Sequence, residues 1–138
     1  MYSILQNAHA GWAYLVLLLV LVAVINSLAN GSKEFAPKDK KIALFALIAS
    51  HLQLLIGLIL YFVSPRGMAA MSQMGDKAMR LTALEHPVIN IIALVLITMG
   101  WSKHKKAADS AAKFKCISLY YGLGLVLILS RIPWSLWF

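Results

Sequence analysis

Residues 39–65 read DKKIALFALIASHLQLLIGLILYFVSP. From Ile42 to Val63 this stretch holds no Asp, Glu, Lys or Arg, and Ser64-Pro65 closes it. A helix needs about 20 mostly apolar residues to cross a bilayer, so this run predicts a transmembrane helix over residues 42–63. His51 stands near its centre, ten residues beyond Lys41, or ~15 Å deep at 1.5 Å per residue. Ser50, Gln53, Gly57 and Tyr61 recur around it at helical spacing. This face is expected to point into a bundle, because polar and small residues serve helix–helix contacts in membranes.

Three further apolar runs flank this one. His9–Ala29 is ended by Asn30-Gly31, His86–Trp101 opens with Pro87, and Phe114–Ile132 is closed by Pro133. The expected helices span about 4–29, 42–63, 82–102 and 114–132, in one transmembrane domain over residues 1–138. The third run is short unless its helix begins near Leu81. The expected fold class is an all-α membrane protein, an antiparallel four-helix transmembrane bundle. Composition agrees: 61% of the 138 residues are hydrophobic and 13% charged, about half the charge of a soluble domain. The N-terminus lacks a positive n-region and a small-residue cleavage site, so it reads as a retained helix. The single cysteine, Cys116, has no internal disulfide partner.

The net charge of +8 reads as a topology signal, since the basic residues flank the apolar runs and form no stripe suited to nucleic acid. The first loop, Ser32–Lys41, carries Lys33, Lys38, Lys40 and Lys41. The third carries Lys103, Lys105, Lys106, Lys113 and Lys115. These nine oppose four: Arg66, Lys77, Arg80 and Arg131. The positive-inside rule puts the nine-residue side in the cytoplasm and both termini outside it. Trp12, Tyr14, Tyr61, Trp134 and Trp137 then fall near the outer boundary. Met68, Met71, Met74 and Met79 in the middle loop suit one face of a short interfacial helix. Thioethers are also soft ligands for Cu(I), which keeps a metal-handling role open.

The chemistry-bearing residues are His9, His51 and His86, one on each of three helices. Intramembrane ionisable groups are costly and need a reason, and imidazole is a common axial ligand of haem iron. Arg66, Arg80 and Arg131 at the outer end are candidates to hold haem propionates by charge-assisted bonds. The plainer alternative makes His51 an interhelical hydrogen-bonding group and His9 and His86 ordinary interfacial residues. At the midplane an unpaired charge costs at least ~2.5–3.5 kcal/mol, so His51 is expected to be neutral with its ring occupied. His104, in Lys103-His104-Lys105-Lys106, is expected to be solvated. No HExxH, CxxC, P-loop or GxSxG sequence occurs.

The segments HAGWAYLVLLLVL (9–21), residues 39–65, EHPVINIIALVLITMGWSKHKK (85–106) and IPW (132–134) resemble a family of small bacterial four-helix membrane proteins labelled cytochrome b-like. The resemblance spans nearly the whole chain. His51-Leu52-Gln53 and Glu85-His86-Pro87 are its most recognisable parts. The first helix departs from it, with Gly11-Trp12 where a basic residue is expected before the aromatic. The resemblance implies haem b and electron transfer, carried by His9, His51 and His86.

Together these readings predict a b-type cytochrome-like protein of a bacterial inner membrane, passing electrons to a quinone or a larger redox complex. A homodimer through the small residues Gly122 and Gly124 is a further expectation. The alternatives are a cofactor-free structural subunit of a membrane assembly and a metal-handling protein using the histidines. An electron-transfer or structural protein is expected rather than a stand-alone enzyme.

Overall fold

The computed structural model describes residues 2–137. Its secondary structure is helical throughout, with four helices long and apolar enough to cross a membrane. They are α1 (Tyr2–Ala29), α2 (Pro37–Val63), α3 (Lys77–Lys106) and α4 (Ser110–Ser130). A 3-10 helix, Met68–Gln73, lies between α2 and α3, and a short α5 (Trp134–Trp137) ends the chain. The chain is thus a four-helix bundle of the expected class.

The helices are longer than the apolar runs because their caps lie among polar residues. α2 starts at Pro37, inside the stretch read from sequence as a charged loop. Proline at a first helical position loses no hydrogen bond. Asp39 Oδ2 accepts from the Ala36 amide at 2.8 Å, and Asp39 Oδ1 accepts from Asn26 Nδ2 at 2.9 Å. Asp76 caps α3 by accepting from the amides of Ala78 and Met79. α3 therefore begins four residues before Leu81. Asp109 caps α4 through the Ala112 amide.

Packing order follows from loop length. Only Ala107–Asp109 separate α3 from α4, which forces an antiparallel pair. α1 packs on α2 and α4, α4 on α3, and the α2–α3 seam is the loosest. α1 and α3 are therefore diagonal across the bundle, as are α2 and α4. The core is built from Val16, Val20, Ala46, Ala93, Ile97, Ile117 and Tyr121 among others. At the end near the lysine-rich loops the α2–α4 diagonal is closed: the buried Tyr121 hydroxyl donates to the Ala43 carbonyl at 2.8 Å.

Gly124 serves this intrachain packing. A Cβ there would lie 2.7 Å from Ile97 Cγ1, and one on Gly100 2.7 Å from Tyr120 Cβ. Trp12, expected at the outer boundary, lies in the α1–α2 seam and donates from its indole to the Ala49 carbonyl at 2.8 Å. The Trp137 side chain lies outside the described part. Leu18, Ile25, Phe45, Leu55, Phe62, Val95 and Val126 are exposed on the bundle exterior. An apolar exterior of this extent suits a hydrocarbon solvent rather than water.

Candidate functional site

Opposite the closed end, the bundle opens into a cavity of about 240 Å³ between the two diagonals. Its polar lining includes Tyr2, His9, Gln53, Tyr61, Arg66 and His86. The remainder is largely apolar, with Leu54, Leu58, Ile91, Leu94, Ile128 and Ile132 among the walls. Along α2 the lining runs from Ser50 to Ser64, which is ~20 Å at 1.5 Å per residue.

His86 owes its position to local backbone chemistry. Pro87 has no N–H, so the Ala83 carbonyl one turn earlier has no helical donor. The backbone widens into a π-helical segment, Leu81–Glu85, with the His86 amide bonded to the Leu81 carbonyl. Such segments interrupt α-helices frequently at functional sites. The Tyr61 hydroxyl of α2 donates to Ala83 O at 2.9 Å and satisfies the carbonyl that proline leaves open. The His86 ring then lies with Nδ1 2.9 Å from the Arg131 carbonyl oxygen. An oxygen acceptor at that distance requires Nδ1–H, so His86 carries its free lone pair on Nε2. Asn90 Nδ2 donates to the His86 carbonyl at 2.6 Å.

His9 reaches the same space from α1. Its ring centre is 6.1 Å from that of His86, with the planes at 89°. The close approach of α1 to α2 depends on Gly57, where a Cβ would stand 3.0 Å from His9 Cε1. Gln53 Nε2 donates to the His9 carbonyl at 2.7 Å. His9 Nδ1 and Gln53 Oε1 are both buried with no hydrogen-bond partner. Leaving a polar atom buried and unpaired costs about 1–3 kcal/mol, so each of these two atoms could gain from a further partner.

The three arginines expected here divide. Arg66 lines the cavity, and its Nη1 is 3.5 Å from the Tyr2 hydroxyl. Arg80 and Arg131 instead flank Glu85, at 3.1 Å and 3.6 Å, as a partly exposed ion-pair cluster. Neither lines the cavity.

His51 lies elsewhere. Ser50, Gln53, Gly57 and Tyr61 line the cavity, but His51 is turned off that face and is exposed on the bundle exterior. The polar face of α2 was legible, and His51 does not share it because one residue rotates a helical position by about 100°. His51 Nε2 is 3.2 Å from Thr98 Oγ1 on α3. His104, expected in solvent, is buried. Its Nδ1–H donates to the Trp101 carbonyl at 2.6 Å, and its ring meets those of Trp101 and Phe35 at a tilt. Met68 and Met71 are both exposed on the 3-10 helix, where positions three apart eclipse. Among the described residues no group of three or more His, Cys, Asp or Glu side chains converges to hold a metal ion. Asn90, which follows His86 at helical spacing on a polar face of the third run, lines the cavity, and Tyr2 joins it from the start of α1, where the sequence offered no signal.

No family model, curated protein or solved structure matches this chain. What the site does is therefore decided by its own chemistry.

Proposed function

We propose that the chain is a b-type cytochrome-like electron-transfer protein of a bacterial inner membrane, in which His9 and His86 would hold one haem. The observation that carries this reading is the 6.1 Å between their ring centres. At metal–imidazole bond lengths of about 2.0–2.1 Å, two rings this close could both reach one metal ion. The Nδ1–H bond from His86 to the Arg131 carbonyl is the outer contact that orients a metal-ligating histidine and fixes its tautomer. His9 Nδ1, buried beside Gly57, is a nitrogen that no hydrogen bond engages.

The cavity fits the group in chemistry and length. Apolar side chains of α2 and α3, with Ile128 of α4, would line a macrocycle, and Arg66 beside Tyr2 would hold its carboxylates by charge-assisted bonds. The volume of about 240 Å³ lies below the roughly 300–1,000 Å³ of small-molecule and cofactor pockets, so a haem would enter only with substantial opening of the surrounding helices and side chains. Bound haem supplies a one-electron iron couple whose potential the axial ligands and the burial set. The chain's own part is to hold two neutral imidazoles, exclude water with apolar walls and balance carboxylate charge at Arg66.

The lysine-rich loops support a topology with both termini outside the cytoplasm. Expression with haem supplied, followed by purification in mild detergent, tests the function. A Soret band that moves on reduction is the expected result. A colourless, folded protein would favour the cofactor-free structural subunit.

A further inference from the structure

Two adjacent residues of α3 grip one residue at the end of α4. Glu85 Oε1 lies 3.6 Å from Arg131 Nε, and the His86 ring is bonded through Nδ1 to the Arg131 carbonyl at 2.9 Å. That carbonyl is available because it lies just past the end of α4, where helical donors run out. The Arg131 guanidinium does not swing freely. Its Nη1 donates to the Ser130 carbonyl at 2.8 Å, so the side chain is folded back on the backbone that presents the acceptor. An ion pair to this guanidinium therefore anchors the carbonyl as well as the side chain.

A second partner competes for the same ring nitrogen. Asn90, one turn on in α3, donates from Nδ2 to the His86 carbonyl at 2.6 Å, which fixes its amide group. The same Nδ2 is 3.2 Å from His86 Nδ1. An amide nitrogen only donates. His86 Nδ1 thus stands between an acceptor, the Arg131 carbonyl, and a donor, the Asn90 amide. With the proton on Nδ1 the ring bonds to Arg131, and Nε2 keeps the lone pair. With the proton on Nε2 the ring accepts from Asn90, and Nε2 has no lone pair to offer. The exchange moves one proton between the two ring nitrogens and leaves the charge of the ring unchanged.

We propose that Glu85 and Asn90 are opposing positioning residues for His86. Glu85, through Arg131, holds the acceptor against Nδ1 and leaves Nε2 bare. Asn90 stabilises the reversed tautomer. The acceptor is the nearer partner and belongs to the backbone, so the Nδ1–H form is the major one. Neutral imidazole binds a metal only through a bare nitrogen, so Glu85 favours the ligating state of Nε2. The ligand role of Nε2 rests on the haem reading above, and the choice of tautomer does not.

The test is the long-range proton–nitrogen correlation spectrum of the full chain, labelled with nitrogen-15 at histidine. It is taken in detergent, with neutral imidazoles and no haem supplied. His86→Gln identifies the His86 signals by their loss. The parent should show Nδ1 protonated. Glu85→Gln should raise the ratio of Nε2–H to Nδ1–H roughly two- to fivefold, the worth of a partly exposed ion pair. Arg131→Gln should do the same, and the double substitution should do no more than either alone. Arg80→Gln, on the same carboxylate, should not raise the ratio. Asn90→Leu in the Glu85→Gln background should restore the Nδ1–H form, a rescue that general loosening of the helix end would not give. A parent with Nε2 protonated, a ratio unmoved by Glu85→Gln, or an effect that Asn90→Leu does not reverse overturns the proposal. An absorption spectrum of haem-supplied protein separates the two readings. The expected tautomer pattern without a haem band leaves the positioning roles standing and removes the haem, and a haem band with an unmoved ratio does the reverse.

Discussion

The Tyr61 hydroxyl donates to the Ala83 carbonyl at 2.9 Å, the acceptor that Pro87 strips of its helical partner. This bond ties the end of α2 to the widened turn that aims His86. Tyr61→Phe should leave Ala83 O unsatisfied and cost about 1–3 kcal/mol, read by thermal unfolding in detergent. Pro87→Ala in the Tyr61→Phe background should recover part of that loss by restoring an N–H to Ala83 O. Additive losses from the two substitutions would show that they do not act on the same carbonyl.

Three glycines permit close approach for different reasons. Gly100→Ala and Gly124→Ala should each destabilise the bundle by about 1–3 kcal/mol through overpacking of α3 on α4. Gly57→Ala should change stability less, because its neighbour is the His9 ring at 3.0 Å rather than backbone. Its effect should appear instead in the cavity, as weaker binding of the cofactor. Gly75→Ala, where a Cβ meets open space, is the matched control and should be neutral in the same melts.

Much of the fold was legible because hydropathy reports helices directly: residues 42–63 alone fix one span and the class. The ends were less so. Pro37 and Asp39 start α2 inside what composition marks as a loop, because a cap depends on a few hydrogen bonds rather than on hydrophobicity. Of the candidate site, His9 and His86 fall together in one cavity. His51 was harder to place, since a polar residue near a polar face reads as part of it until the helix is rotated into position. His104 was misjudged because its lysine neighbours are exposed while its own ring is covered by Phe35, which arrives from another loop.

At the lysine-rich end, Asp39 is buried and joins three parts of the chain: its own helix start, the Ala36 amide and Asn26 of α1. Asp39→Ala removes both acceptors at once. We expect a loss of about 1–3 kcal/mol, measured by denaturation in detergent, with little change in the cavity at the other end. A comparable effect on ligand binding there would contradict the separation of the two ends.

Orientation is tested with membrane-impermeant thiol reagents on intact cells in a Cys116→Ser background. A cysteine at Ser72, exposed in the middle loop, should label from outside. One at Ser110, beside the lysine-rich third loop, should not. The opposite pattern would place both termini in the cytoplasm.

The central claim is that His9 and His86 form one haem site and that His51 stands outside it. The reduced-minus-oxidised absorbance spectrum of purified protein, taken for the parent chain and for His9→Ala, His86→Ala and His51→Ala, tests it most directly. A haem band in the parent and in His51→Ala, lost or converted to a ligand-deficient spectrum in His9→Ala and His86→Ala, is the predicted result. No band in the haem-supplied parent, or a band that survives His9→Ala and His86→Ala and disappears with His51→Ala, would contradict it.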